Sequence, residues 1–189
     1  MKVGTNGQVT LEGSATVFDD ITGQLTGENL FETPGKADYS FTESCVTFAP
    51  SGAISVDGDC VVISFQLPHS AKTDASILPH IHWEQTDAIA RTFVYRYRVQ
   101  SSGVAKTSAW SSDVTVSTAT GGVNVFSYTS GTLNQKSKLG SISLIGAGLS
   151  AIVQLRLTRT DAVAGNMNVT FIDCHYEKDA FGSNTESSK

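Results

Sequence analysis

The sequence predicts an all-β chain: an antiparallel β-sandwich or jelly roll of eight or nine strands over residues 43–178, with an extended N-terminal arm over 1–42 and a polar C-terminal tail over 179–189. Three observations predict it. Apolar residues alternate with polar ones at period two, which puts successive side chains on opposite faces of a half-buried strand. Turn-forming groups separate the alternating runs, and no window carries a 3.6-residue apolar repeat of helical length. Short strands spaced this way bury their alternate faces by stacking two antiparallel sheets.

The arm comes first. Gly4, Gly7, Gly13, Gly23, Gly27, Pro34 and Gly35 interrupt short apolar groups such as Val17-Phe18 and Leu30-Phe31. A segment with so few anchors cannot offset its own ordering entropy, so it is expected to lie against its own sandwich or a neighbouring subunit.

The firmest strands follow. Val61, Ile63, Phe65 and Leu67 share one face, Phe93, Tyr95, Tyr97 and Val99 a second, and Val153, Leu155 and Leu157 a third. Weaker candidates are Val46 to Phe48, Ile77 to Glu84, Val114 to Thr118, Val123 to Tyr128, Ile142 to Ile145 and Val169 to Glu177. The turns between them fall at Ser51-Gly52, Asp57-Gly58-Asp59, Ser102-Gly103, Gly121-Gly122, Ser130-Gly131, Gly146-Ala147-Gly148 and Gly165-Asn166. Beyond Lys178 the tail is polar apart from Phe181.

Composition narrows the function. Only 16% of the 189 residues are charged, against roughly 25% in an average soluble protein. A polar but weakly charged surface suits broad subunit contact, since charged residues are depleted at the centres of interfaces. The net charge of -5 supplies no basic field for phosphates, so nucleic acid is not an expected direct partner. No signal-like apolar stretch opens the chain and no run approaches a membrane span, so synthesis in cytoplasm without membrane association is expected. Cys45, Cys60 and Cys174 are an odd set without CxxC spacing, which predicts buried free thiols; a Cys45–Cys60 bridge across a hairpin is the alternative.

The sharpest chemical feature is Pro79-His80-Ile81-His82-Trp83-Glu84. On a strand, His80, His82 and Glu84 project from one face at a spacing of roughly 7 Å, and two imidazoles so placed can converge on a metal. His175, on the same face as Asp173, is the candidate third ligand, and His69 lies near a strand end. Such residues more often hydrogen-bond to neighbours or line a subunit contact. The expectation is therefore no metal and no cofactor, with His80, His82 and His175 the candidates if a metal is bound. A cupin enzyme would use His-x-His with a later Glu and His, but Glu84 follows His82 too closely and the glycines flanking that pattern are missing.

Other motifs have plainer readings. Gly146-Ala147-Gly148-Leu149-Ser150-Ala151 matches a loose dinucleotide fingerprint, yet alternation follows it where a helix is required. Asn168-Val169-Thr170 is a sequon in form only, and Asp19-Asp20 and Asp57-Gly58-Asp59 do not resemble catalytic pairs. Trp83, Phe93, Tyr95, Tyr97 and Trp110 would make a sugar-stacking platform if exposed, but aromatics spaced by two along a strand are usually core.

Phe65-Gln66-Leu67-Pro68-His69-Ser70, Leu78-Pro79-His80-Ile81-His82-Trp83 and Asp173-Cys174-His175-Tyr176-Glu177-Lys178-Asp179 to Gly182-Ser183, in this order, resemble a family of small structural proteins encoded among the virion genes of tailed bacteriophages. The likeness runs from about Cys45 to the end, with a looser match at Val17-Phe18-Asp19-Asp20. It implies a particle rather than a reaction: a virion protein with no catalytic residues. Fold analogy extends this to a homotrimeric capsid decoration or cement protein bound to the major capsid protein or other virion proteins. The rivals are a tail, collar or fibre-associated protein with carbohydrate binding, and a cupin-like metal-binding enzyme.

Overall fold

The computed structural model describes residues 2–3, 9–10, 17–23, 38–40, 45–50, 60–72, 74–85, 87, 89–101, 103–105, 109–117 and 135–179. Every regular element among them is a strand. These are β1 (Lys2–Val3), β2 (Val9–Thr10), β3 (Val17–Gly23), β4 (Asp38–Ser40), β5 (Cys45–Phe48), β6 (Cys60–Gln66), β7 (Ser76–Glu84), β8 (Thr92–Gln100), β9 (Val114–Ser117), β10 (Gln135–Lys138), β11 (Ile142–Ser143), β12 (Ile152–Arg159) and β13 (Met167–Lys178). The expected strand over 123–128 and the tail beyond 179 lie outside the described residues.

The connectivity is that of a jelly roll. One sheet runs β10-β7-β13-β5-β4, with β11 also on β7 and β3 also on β13; the other runs β6-β12-β8-β9, and all pairs are antiparallel. β5 pairs with β13, β6 with β12, β7 with β10 and β8 with β9. The chain is thus one long hairpin, first strand against last, rolled so that alternate pairs fall in opposite sheets. β1 and β2 form a separate two-stranded ribbon.

The inner faces are those marked by alternation. Val61, Ile63, Phe65, Phe93, Tyr95, Val153, Leu155 and Leu157 meet Val46, Phe48, Ile77, Ile81, Trp83, Val169, Ile172 and Cys174 in one buried cluster. The rings of Phe48 and Phe93 touch edge to face across the sheets, 5.4 Å apart. Each large apolar side chain so buried contributes about 1.5–3 kcal/mol. Cys45, Cys60 and Cys174 are buried free thiols, and burial, with the charge of Asp173 adding to it, pushes the Cys174 thiol up.

Strict alternation along β13 would place Asp173 on the same side as Val169. A register shift between Val169 and Phe171 reverses the parity, so Val169, Ile172 and Cys174 all face the core while Asp173 and His175 face outward. One extra residue in a bulge does this by leaving two positions opposite one.

Two strands of the larger sheet come from residues before position 43. β4 pairs with β5, and β3 lies along the second half of β13, from Gly23 opposite Ile172 to Val17 opposite Lys178. Gly23 ends β3 against the core, where a Cβ would fall 2.5 Å from Ile63 and Phe65 side-chain atoms. Only glycine permits that approach.

Two arginines close one end of the sandwich. Arg159 is fully buried; it donates to the carbonyls of Phe48, Gly165 and Val163 and to both oxygens of Asp161. Arg91, equally buried, donates to the carbonyls of Ile89 and Ala164 and to Asp87. Neither guanidinium can shed its charge, so burial requires this dense set of acceptors. The Gly146–Ala151 segment is a turn leading into β12, as its alternation predicts.

Candidate functional site

The most concentrated polar chemistry lies on the outward face of the larger sheet. In β7, Ile77, Ile81 and Trp83 anchor in the core, and this fixes His80 and His82 on the other side. His80 is the register partner of Asp173. His80 Nε2 lies 2.7 Å and His82 Nε2 3.3 Å from Asp173 Oδ1. The two histidines are each 3% exposed and Asp173 7%, although they sit on a face that alternation marks as outward. Burial works against the charge of Asp173, but the two imidazoles outweigh it and hold the carboxyl well below the usual carboxylate range.

His175 occupies a different place from the one its candidacy as a ligand requires. Its Nε2 contacts Asp20 Oδ1 at 3.0 Å, and its ring meets that of His80 edge-on, 4.7 Å between centroids. The three convergent donors are therefore His80, His82 and Asp173, not His80, His82 and His175. Sequence spacing places Asp173 and His175 on one face but does not say which of them lies opposite His80. The strand register decides that.

Glu84 is also apart from the cluster. It accepts from Asn168 Nδ2 at 3.3 Å, while Asn168 Oδ1 accepts from Thr47 Oγ1 at 3.0 Å, a polar ladder across three strands. His69 pairs with Ser150 Oγ at 2.7 Å. Asp19 accepts from Lys178 and Tyr176, and the Lys178 ammonium with the Asp20 backbone N–H holds its carboxyl below the ordinary value. Asp57 and Asp59 lie outside the described residues.

The aromatic residues do not form a platform. Trp83, Phe93 and Tyr95 are core, and burial raises the Tyr95 phenol to about 12. Tyr97 packs against the core from its edge. Trp110 stands apart, with the Arg98 guanidinium 4.5 Å from its ring centre.

Beside the buried cluster, the same outward face exposes apolar side chains. Phe18 of β3 is 59% and Leu78 of β7 38% exposed; Leu78 lies opposite His175, which lies opposite Asp20, and Phe18 lies opposite Glu177. The alternation of β7 foretells that Leu78 faces outward with the histidines. The position of Phe18 follows only from the pairing of β3 with β13, which no local signal announces. No helix among the described residues is long and apolar enough to cross a membrane.

No protein-family model matches the chain, and no curated protein does. Among solved structures the chain is similar to a xylan-binding module, CBM15, with 14% identity and a TM-score of 0.44, over 85% of this chain and 97% of that one. It is also similar to the CBM22-1 and GH10 modules of Clostridium thermocellum N-terminal endo-1,4-β-D-xylanase 10B, complexed with xylohexaose, with 8% identity and a TM-score of 0.30, over 77% of this chain and 26% of that one. At such identities and scores nothing about binding carries over from either.

Proposed function

We propose that this chain is a structural protein of a tailed-bacteriophage virion, not an enzyme, and that it decorates or cements the head as a homotrimer contacting the major capsid protein. One observation carries the reading. The segments that resemble phage virion proteins are scattered along the chain, yet they meet in one patch. Val17 to Asp20 pair with the end of β13, Leu78 to Pro79 pair with its middle, and the backbone N–H of Asp179 donates to the Ser70 carbonyl. Ser70 Oγ also contacts the Tyr176 hydroxyl. A patch of paired strands that exposes Phe18 and Leu78 suits a contact surface, because exposed apolar side chains grouped on one face mark sites of association.

Mass action supplies the mechanism. A subunit that binds the assembled lattice but not its dissociated parts stabilises the lattice by RT ln(1 + [L]/Kd) per site. A map of the native particle tests this. Density for the chain over the head, in threefold groups at capsomer junctions and with β3, β13 and β7 toward a neighbour, is expected; purified particles lacking the chain rule the proposal out.

A second reading, a tail, collar or fibre-associated protein that binds carbohydrate, has one feature in its favour. Trp110 and Arg98 lie with Gln154 and Ser64, which are joined by hydrogen bonds, in an arrangement that offers stacking beside polar groups. Glycan-array binding lost on Trp110→Ala, with the chain located at the tail, would favour it.

A further inference from the structure

We propose that His80 Nε2, His82 Nε2 and Asp173 Oδ1 together bind one divalent transition-metal ion, zinc being the best match, and so brace β7 against β13. Two imidazole nitrogens and a carboxylate oxygen are a donor set that zinc accepts at about 2.0–2.2 Å. Bonds of that length in tetrahedral directions hold donor atoms about 3.3 Å apart. His82 Nε2 and Asp173 Oδ1 are 3.3 Å apart.

The second distance is shorter than that spacing, so His80 Nε2 and Asp173 Oδ1 must part by about half an ångström when the ion enters. At 2.7 Å, His80 Nε2 and Asp173 Oδ1 are close enough for an ordinary hydrogen bond, yet both atoms are buried without completing one. Protein interiors leave few polar atoms in that condition, and an ion is among the usual reasons. The ligand atoms of His80, His82 and Asp173 all lie within 4.8 Å of one another, near enough for one ion to take all three. The Asp173 carboxylate also contributes a negative charge beside the two imidazoles, which favours a divalent cation.

The frame around the site is fixed. His80 and Asp173 are register partners on paired strands, and the residues flanking the histidines are locked in the core. The His175 ring stands edge-on to His80 and is itself held by Asp20; neighbours of this kind orient metal ligands without touching the ion. Three protein ligands leave the fourth tetrahedral position to water in the isolated chain.

The test uses the untagged full chain. After dialysis against zinc chloride, one zinc per chain is expected by elemental analysis, and cobalt chloride should give the visible absorption of a tetrahedral site. Zinc should raise the melting temperature in a concentration-dependent way, and chelation should reverse it. Asp173→Asn and His82→Gln should each abolish stoichiometric binding, whereas His69→Gln should leave it unchanged and His175→Gln should weaken it by no more than about 10- to 100-fold. A folded wild-type chain that takes up neither zinc nor cobalt overturns the proposal whatever the variants do. Binding that survives Asp173→Asn but vanishes with His175→Gln overturns it equally.

Discussion

His80 and Asp173 face each other directly across β7 and β13, Nε2 2.7 Å from Oδ1, on the side of the sheet turned away from the sandwich core. That a carboxylate and two histidines are buried there ties the outward face into the fold as firmly as the inner one. Both histidines favour the charge of the buried Asp173 carboxylate, so removing one member of the group should cost about 1–3 kcal/mol. Asp173→Asn and His82→Ala should each lower stability by that amount in urea unfolding with chelator present. Under the proposed virion role, particle association by His82→Ala should stay intact, because Phe18 and Leu78 are untouched.

Arg159→Met should be among the most damaging single changes. It leaves the carbonyls of Phe48, Val163 and Gly165 without the Arg159 donor and Asp161 with only the backbone N–H groups of Thr92 and Val163. Breaking a buried charged pair from one side costs about 3–5 kcal/mol, read as a fall in the urea midpoint with an unchanged slope. A loss under about 1 kcal/mol would mean that water replaces the guanidinium.

Acid should loosen the same end of the sandwich. Burial opposes the charge of Asp161, but Arg159 and the backbone N–H groups of Thr92 and Val163 draw its carboxyl below 3.8. For Asp87 the Ile89 N–H and then Arg91 overcome burial with the same result. A group whose folded value is depressed contributes stability above its unfolded value and loses it as pH falls through the folded one. Melting temperature should therefore be insensitive to these groups from neutral pH to about 4 and fall below it. Asp161→Asn should start lower and show a shallower acid limb; an identical limb would remove Asp161 from the account.

Gly23→Ala adds a Cβ 2.5 Å from Ile63 and Phe65 side-chain atoms. Both neighbours are fixed in the core, so overpacking should cost about 1–3 kcal/mol. Gly146→Ala provides the comparison, since its positive φ strains the backbone but nothing crowds the new methyl. If the two variants unfold alike, crowding at β3 is not the cause.

Under the proposed virion role, the paired change Phe18→Asp with Leu78→Asp should leave stability within about 0.5–1 kcal/mol and abolish co-sedimentation with heads that lack the chain. Retained co-sedimentation would move the contact to another face.

The alternating strands β6, β8 and β12, and with them half the core, can be read directly from the chain, because their side-chain period of two has no interruption. β7 can be read for the same reason, which is why His80 and His82 are foreseeable as a same-face pair. β13 is foreseeable as a strand over 169–177 but not in its facing, since a bulge reverses its parity partway and nothing in Val169-Thr170-Phe171 announces it. β10, Gln135–Lys138, has no apolar residue to reveal a strand. Its pairing with β7 is a tertiary event. Arg159 and Asp161 stand two apart at a strand end, as exposed pairs often do, and only the closing of the roll buries Arg159 fully and Asp161 in large part. The aromatic run Phe93 to Tyr97 had two readings, and burial selects the core.

The pairing of Val17 with Lys178 bears on how the molecule comes into being. A ribosome delivers the first partner long before the second, so β3 has no place to dock until nearly all the chain described here has emerged. Contacts between such distant positions slow folding, because the intervening loop must be closed before they contribute. The β3 part of the larger sheet thus forms only after the long stretch between β3 and β13 has been made, and until then the side of β13 that β3 will cover is open to other chains.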